Sequence, residues 1–233
     1  MKKTNSLPSS RRIVSNQTEV HANLEKILHK HLAHTFRKPY AQHNLDAFQI
    51  AAQWLAERKQ PLILDSFCGV GESTAKLAEQ YPDCAVIGID KSAARLDKHA
   101  GYQSEQQNYL LIQADVEDFW RLAVEAGWQP LRHFLLYPNP WPKSDQIKLR
   151  IHGSPVFPAL LKLGGEIELR SNWALYVDEF ATALRLLGVE AAYNAFLPET
   201  IITPFERKYL NSGQTLWRCQ AHITAGTINS SSC

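Results

Sequence analysis

Leu64-Asp65-Ser66-Phe67-Cys68-Gly69-Val70-Gly71 is the stretch on which the fold turns. The apolar run that starts at Leu62 ends on a carboxylate and passes into a turn with two glycines, and a helical pattern opens at Glu72. A strand that meets a glycine turn and continues as a helix is the first unit of a crossover, the connection a parallel partner strand requires. The pattern then repeats. Apolar runs at Ala85 to Asp90, Tyr109 to Ala114, His133 to Tyr137 and Glu166 to Ser171 alternate with helical stretches at Glu72 to Gln80, Ser92 to Ala100, Val116 to Ala126 and Asn172 to Leu187. Strands that read as short continuous apolar runs are buried on both faces. After Gly188, two more candidates, Ala191 to Phe196 and Thr215 to His222, fit an antiparallel pair at the sheet edge. The expectation is an α/β fold: a doubly wound, mostly parallel seven-stranded sheet with helices on both faces.

Upstream, Val20, Leu24, Ile27, Leu28 and Leu32 recur at helical spacing, and a second amphipathic helix is expected from Asn44 through Phe48, Ala51, Trp54 and Leu55. The predicted organisation is a basic N-terminal extension with two helices over 1–60, one α/β domain over 61–226 and a flexible tail over 227–233. Residues 1 to about 17 are polar and are expected to be flexible until bound. The chain has 233 residues and a formal charge of only +2, but the distribution is uneven. The first 60 positions hold ten Lys and Arg against four Asp and Glu, which leaves the remainder at −4. A basic layer on a mildly acidic body suits a polyanionic partner, although a solvated helical face reads the same way. His29, His31 and His34 belong to that basic helix and are read as solvent- or phosphate-facing, with no metal expected. Cys68, Cys84, Cys219 and Cys233 have neither zinc nor disulfide spacing. With no apolar run of membrane-spanning length and no secretory leader, a cytoplasmic protein, most simply a monomer, is expected.

Gly69 and Gly71 allow backbone to approach a ligand closely, and Asp90, 19 positions after Gly71, stands where a carboxylate accepts from ribose hydroxyls. That much fits a nicotinamide dinucleotide and S-adenosylmethionine equally. Two details favour the second. Thr74 stands where the dinucleotide fingerprint needs a small third residue, and Asp65, four residues before Gly69, answers a cationic, amino-bearing cofactor. Asp115, at the end of the third strand, can accept from an adenine amine. Each carboxylate has a bland alternative as a helix cap, strand-end cap or turn opener, but three in register at consecutive strand ends argue for a site.

Beyond the fourth strand lies Tyr137-Pro138-Asn139-Pro140-Trp141-Pro142-Lys143. Its three prolines stiffen the loop. Asn139 offers a donor and an acceptor to a base edge, Trp141 a stacking surface and Lys143 a charge for phosphate.

From about Leu62 to Trp217 the chain resembles the bacterial tRNA (guanine-N7-)-methyltransferase family, a class I S-adenosylmethionine-dependent fold. The family's Pro-Asp-Pro-Trp-Pro-Lys is similar to Pro138–Lys143, its Leu-Lys-Pro-Gly-Gly to Leu161–Gly165, its Thr-Asp-x-x-x-Tyr to Ser171–Tyr176 and its Thr-x-Phe-Glu-x-Arg/Lys to Thr203–Lys208. The resemblance implies cofactor positions at Asp65, Phe67, Gly69, Gly71, Asp90, Lys91, Asp115 and Asn139, with Asn139 also catalytic. It implies tRNA-contacting positions at Trp141, Lys143, Asn172, Thr203, Phe205 and Glu206. Three departures stand out: Asn139 and Asn172 replace aspartates, Phe67 replaces the first glycine of the loop, and the basic cluster after the loop keeps only Lys143, Lys148 and Arg150. Asp65-x-Phe67-x-Gly69 and Asn139-Pro140-Trp141 are also similar to motifs of amino-methyltransferases. An RNA-binding relative that has lost catalysis is the third reading.

Overall fold

The computed structural model describes residues 10–224; the expected tail at 227–233 lies outside them, as does Cys233. Two helices, α1 (Leu24–Ala33) and α2 (Gln42–Ala56), precede β1 (Leu62–Ser66). The α/β alternation follows: α3 (Glu72–Gln80), β2 (Ala85–Asp90), α4 (Ala93–Leu96), β3 (Tyr109–Gln113), α5 (Val116–Glu125), β4 (Arg132–Leu136), α6 (Phe157–Leu163), β5 (Gly165–Ser171), α7 (Ala174–Leu186), β6 (Ala191–Phe196), α8 (Pro204–Asn211) and β7 (Leu216–Ile223). The strand order is β3-β2-β1-β4-β5-β7-β6. The sheet is mixed: pairing is parallel from β3 through β5, and β7 runs antiparallel between β5 and β6. The mostly parallel expectation therefore holds up to β5 and ends there, because the connection from β6 through α8 brings β7 back beside β5.

Alternate residues of the central strands feed two cores. Leu64, Ile87, Ile89, Leu135 and Leu169 face α1, α5, α6 and α7. Ile63, Val86, Phe134 and Leu136 face α3 and the residues around α8. Each β1 residue is buried, as a strand covered on both faces requires. One buried polar chain crosses the first core. Trp120 Nε1 donates to Ser66 Oγ (2.9 Å), which is also hydrogen-bonded to His133 Nε2 (2.7 Å). Burial drives the His133 imidazole down to about 3, so it stays neutral.

The expected helix over 92–100 is a single turn, α4, followed by a 3₁₀ turn at Asp97–Gly101. The sequence reading assigned no helix to either α6 or α8. With seven and eight residues, they are too short to show a clear period. α8 does carry a start signal: Thr203 Oγ1 accepts from the Glu206 N–H (2.9 Å), and Pro204 takes the first helical position.

At Gly88 in β2, α3 presses directly against the sheet. A Cβ there would stand 2.2 Å from Thr74 Oγ1, the hydroxyl that holds Asp65. Gly88→Ala should therefore overpack this contact and cost about 1–3 kcal/mol, read as a lower urea midpoint at unchanged slope. An unshifted midpoint would show that α3 yields freely.

Candidate active site

The sheet reverses its winding between β1 and β4, which pair in register at Asp65 with Phe134 and Ser66 with Leu135. At such a switch point the loops leave in opposite directions and open a crevice beyond the carboxyl ends. Among the described residues, three non-glycine residues have left-handed backbone, and all lie just past these two strands: Phe67 (φ 67°), Tyr137 (φ 54°) and Trp141 (φ 46°). Such strain is on the order of 1–3 kcal/mol per residue and persists only where surrounding contacts fix it. Here they do. The Phe67 ring stands edge-on to Trp120 at 5.9 Å, the Tyr137 N–H donates to the Arg170 carbonyl (2.9 Å), and the Trp141 carbonyl accepts from Arg150 Nε (3.0 Å).

On the β1–β3 side, the structure brings Asp65, Asp90 and Asp115 to adjacent strand ends. Asp65 is fully buried; its Oδ2 accepts from Ser73 Oγ (2.6 Å) and Thr74 Oγ1 (2.7 Å), and its Oδ1 has no partner among the described residues. Burial lifts its carboxyl to about 6, helped by Asp90 and opposed by the two hydroxyls. Asp90 closes the glycine loop onto β2: Oδ2 accepts from the Gly69 N–H (3.0 Å) and from Arg95 (2.9 Å), and Oδ1 from the Ser92 N–H (2.8 Å). Lys91 is exposed beside it. Asp115 caps α5 through the Glu117 N–H (2.9 Å) while its own N–H donates to Asn44 Oδ1 (2.9 Å). The two glycines differ in purpose. A Cβ on Gly69 would meet nothing within 4 Å, whereas one on Gly71 would collide with His99 and Leu111 at 2.7 Å. Gly69 keeps space for a ligand and Gly71 keeps space for the protein. Burial raises the Cys68 thiol far above its ordinary range, so it packs rather than reacts.

On the β4–β5 side, Asn139 and Lys143 are exposed and Trp141 is half-buried. Arg150, fully buried, holds this loop from beneath: Nη2 donates to the Lys143 carbonyl (3.1 Å) and Nη1 to Glu179. Burial alone would raise Glu179, but the His152 hydrogen bond (2.9 Å) and the Arg150 charge outweigh it and hold the carboxyl at about 2. Burial keeps His152 itself neutral. Asn172 Nδ2 donates to Gln214 Oε1 (2.8 Å).

Thr203 and Glu206 are buried. Glu206 accepts from Arg170 (2.6 Å), the Tyr137 hydroxyl (3.2 Å) and the Ile202 N–H (2.9 Å), so these two residues build the start of α8. Phe205, 43% exposed, alone of the three shows its side chain, and its ring stacks on Tyr137 (6.4 Å) and Tyr209 (6.0 Å). Sequence reasoning missed Asn44, Arg95, Arg150 as a buried clamp, Glu179 and Tyr137. A lone Glu in an amphipathic helix such as α7 gives no sign of its partner. Among the described residues, no group of three or more His, Cys, Asp or Glu is placed to hold a metal, and no helix is long and apolar enough to cross a membrane.

A switch-point crevice with carboxylates at consecutive strand ends suits a nucleotide-like cofactor, and a family model for methyltransferases sets the class. A 16S rRNA (adenine(1408)-N(1))-methyltransferase variant from Catenulisporales acidiphilia, solved with its cosubstrate SAM, superposes with a TM-score of 0.53 at 15% identity, covering 85% of this chain and 96% of that one. The 16S rRNA methyltransferase KamB gives 0.54 at 16% identity over 82% and 98%. A family model described as putative methyltransferase matches residues 59–219. The tRNA (guanine-N(7)-)-methyltransferase of Saccharophagus degradans is 30% identical over 173 residues, 69% of this chain and 74% of that protein. That of Thiobacillus denitrificans is 28% identical over 78% and 82%. The chain belongs to the tRNA (guanine-N(7)-)-methyltransferase family.

Asp65 has its carboxyl raised in the fold, so the ionised form is disfavoured there and stability falls as pH rises from the unfolded value of 3.8 through about 6. Asp65→Asn should therefore stabilise the free protein by roughly 2–3 kcal/mol at neutral pH, with the gain growing between about pH 4 and 6 and constant above. Urea unfolding across that range checks it; a gain independent of pH would contradict the raised carboxyl.

Proposed function

We propose that the protein is a class I S-adenosylmethionine-dependent methyltransferase acting on guanine N7 in tRNA, in a 61–226 domain preceded by the basic extension 1–60. The observation that carries the reading is the placement of Asp65, Asp90 and Asp115 at three adjacent strand ends, with Asp90 holding the Gly69 N–H, and the exposed Asn139 on the loop after β4. The residues fit the cofactor: the unpartnered, buried Oδ1 of Asp65 lacks a donor, which the methionine ammonium supplies, and the space at Gly69 admits a ligand against the backbone. Asp90 would take the ribose hydroxyls by exchanging its exposed partner Arg95, and Asp115 the adenine amine. When bound, the cofactor supplies a methyl group on a sulfonium that leaves without its electron pair.

Guanine N7 presents an in-plane lone pair, so no residue need remove a proton and the protein's work is placement. Asn139, on a loop stiffened by three prolines and clamped by Arg150, meets the base edge, while Phe205 on its Tyr137–Tyr209 stack offers a face. Thr203 and Glu206 support Phe205 and Tyr137 from below, and Trp141, Lys143 and Asn172 border the same opening. Phe67 and Lys91 line the cofactor side. Methylated guanine is cationic, and an amide at 139 stabilises that charge less than the aspartate of the family motif that this loop resembles would. Asn139→Asp should raise kcat on guanine by about tenfold, on the scale of one electrostatic contact, with KM for RNA little changed.

Transfer of labelled methyl to tRNA lacking N7-methylguanosine, followed by nucleoside mass spectrometry, tests the proposal. N7-methylguanosine is expected. An N-methylated exocyclic amine, or RNA binding with no new nucleoside, would overturn it. We place the enzyme in the cytoplasm as a monomer, where tRNA is available.

A further inference from the structure

The segment before α1 does not trail away from the body; it is tied down beside the loops that follow β4 and β5. At one end the Ser10 N–H donates to Ser212 Oγ (2.8 Å), and Gln214 Nε2 donates to the Ser10 carbonyl (2.9 Å). Gln214 is itself held by Asn172 at the end of β5. In the middle, Ser15 Oγ donates to the Pro142 carbonyl, and Asn16 Oδ1 accepts from the Ser144 N–H (3.0 Å). At the other end, Gln17 Nε2 and the His21 N–H donate to Glu179 Oε1, the carboxylate whose second oxygen fixes Arg150 under the proline loop. The strap thus runs from the turn between α8 and β7, past the loop after β4 that carries Asn139, Trp141 and Lys143, to Glu179 of α7.

Between its first two anchors the strap carries Arg11 and Arg12. Both are exposed, and neither pairs with a carboxylate among the described residues. Two guanidiniums on a tethered segment at the rim of a crevice are a fixed anion site, since the anchors have already removed most of the chain entropy that binding would otherwise cost. Guanidinium also matches phosphate oxygens bidentately.

We propose that residues 10–21 form a wall of the substrate site, anchored through Asn172–Gln214 and Glu179, and that Arg11 and Arg12 on it grip the backbone phosphates of the RNA strand flanking the target base. The inference rests on the RNA-methyltransferase reading above. It also gives Asn172 a second role, because its amide donates to Gln214, whereas an aspartate could only accept.

Steady-state kinetics of the full chain on tRNA, with the salt dependence of RNA binding, tests it in three proteins. Wild type must first transfer methyl to tRNA; if it does not, the functional reading fails independently of the strap. With wild type active, the R11Q/R12Q double variant should raise KM for RNA roughly tenfold or more. Its binding should lose about 1.5 from the slope of log K against log salt, the share of two phosphate contacts. Affinity for S-adenosylhomocysteine should be unchanged. Q214A should release the strap, speed tryptic cleavage after Arg11 and Arg12, and raise KM likewise. An R11Q/R12Q variant with wild-type KM and salt slope would overturn the phosphate contact, and faster cleavage in Q214A with unchanged KM would reduce the strap to a structural tie.

Discussion

Everything at the carboxyl end of the sheet follows from β1 and β4 lying side by side while their chains depart to opposite faces. The strand order reverses at this pair, so the connection after β1 goes to one face of the sheet and that after β4 to the other, and a crevice opens between the two loops. The chain fills its margins with aromatic residues in left-handed backbone, Phe67, Tyr137 and Trp141, each braced by a different part of the fold. Trp120 and the Ser66–His133 pair back the first, Arg170 and Glu206 the second, and Arg150 the third. Strain at the site is thus spread over three separate supports rather than held locally. Across the crevice, Arg207 of α8 reaches Glu72 in the first turn of α3, which ties the substrate side to the glycine loop.

The fully buried Arg150–Glu179 pair has a second logic. Removing two charges from water costs several kcal/mol each, and an apolar pair of similar volume would serve stability as well or better. What an apolar pair lacks is a fork of donors. Arg150 directs its remaining N–H groups to the carbonyls of Trp141 and Lys143, and Glu179 turns its second oxygen to the N-terminal strap. One ion pair therefore sets the position of the proline loop and of the segment lying over it. The neutral His152 completes the shell of Glu179 without adding a third charge.

The strand pattern was legible because β1 to β5 are short apolar runs bounded by turn residues, and the acidic strand ends were legible because their spacing is fixed by the crossovers. Asp65 and Gly69 were legible as positions for local reasons: a carboxylate at a strand end and a glycine with open space before it. The antiparallel insertion of β7 was only half legible, since two late strands announce pairing but not which neighbour they join. Thr203 and Glu206 look like substrate residues in a linear motif, and their Thr-x-x-Glu spacing is equally a capping signal, which is how the chain uses it. Glu179 was invisible. Its partners Arg150, His152, Gln17 and His21 lie 27 to 162 positions away, and no local pattern encodes such a meeting.

The most direct measurement is a crystal structure of the protein with S-adenosylhomocysteine. The account predicts the ligand beyond β1 and β2, its amino group at Asp65 Oδ1, its ribose at Asp90 with Arg95 displaced, and its sulfur turned toward Asn139. Ligand seated elsewhere, or Asp65 Oδ1 still unpartnered in the complex, would contradict it.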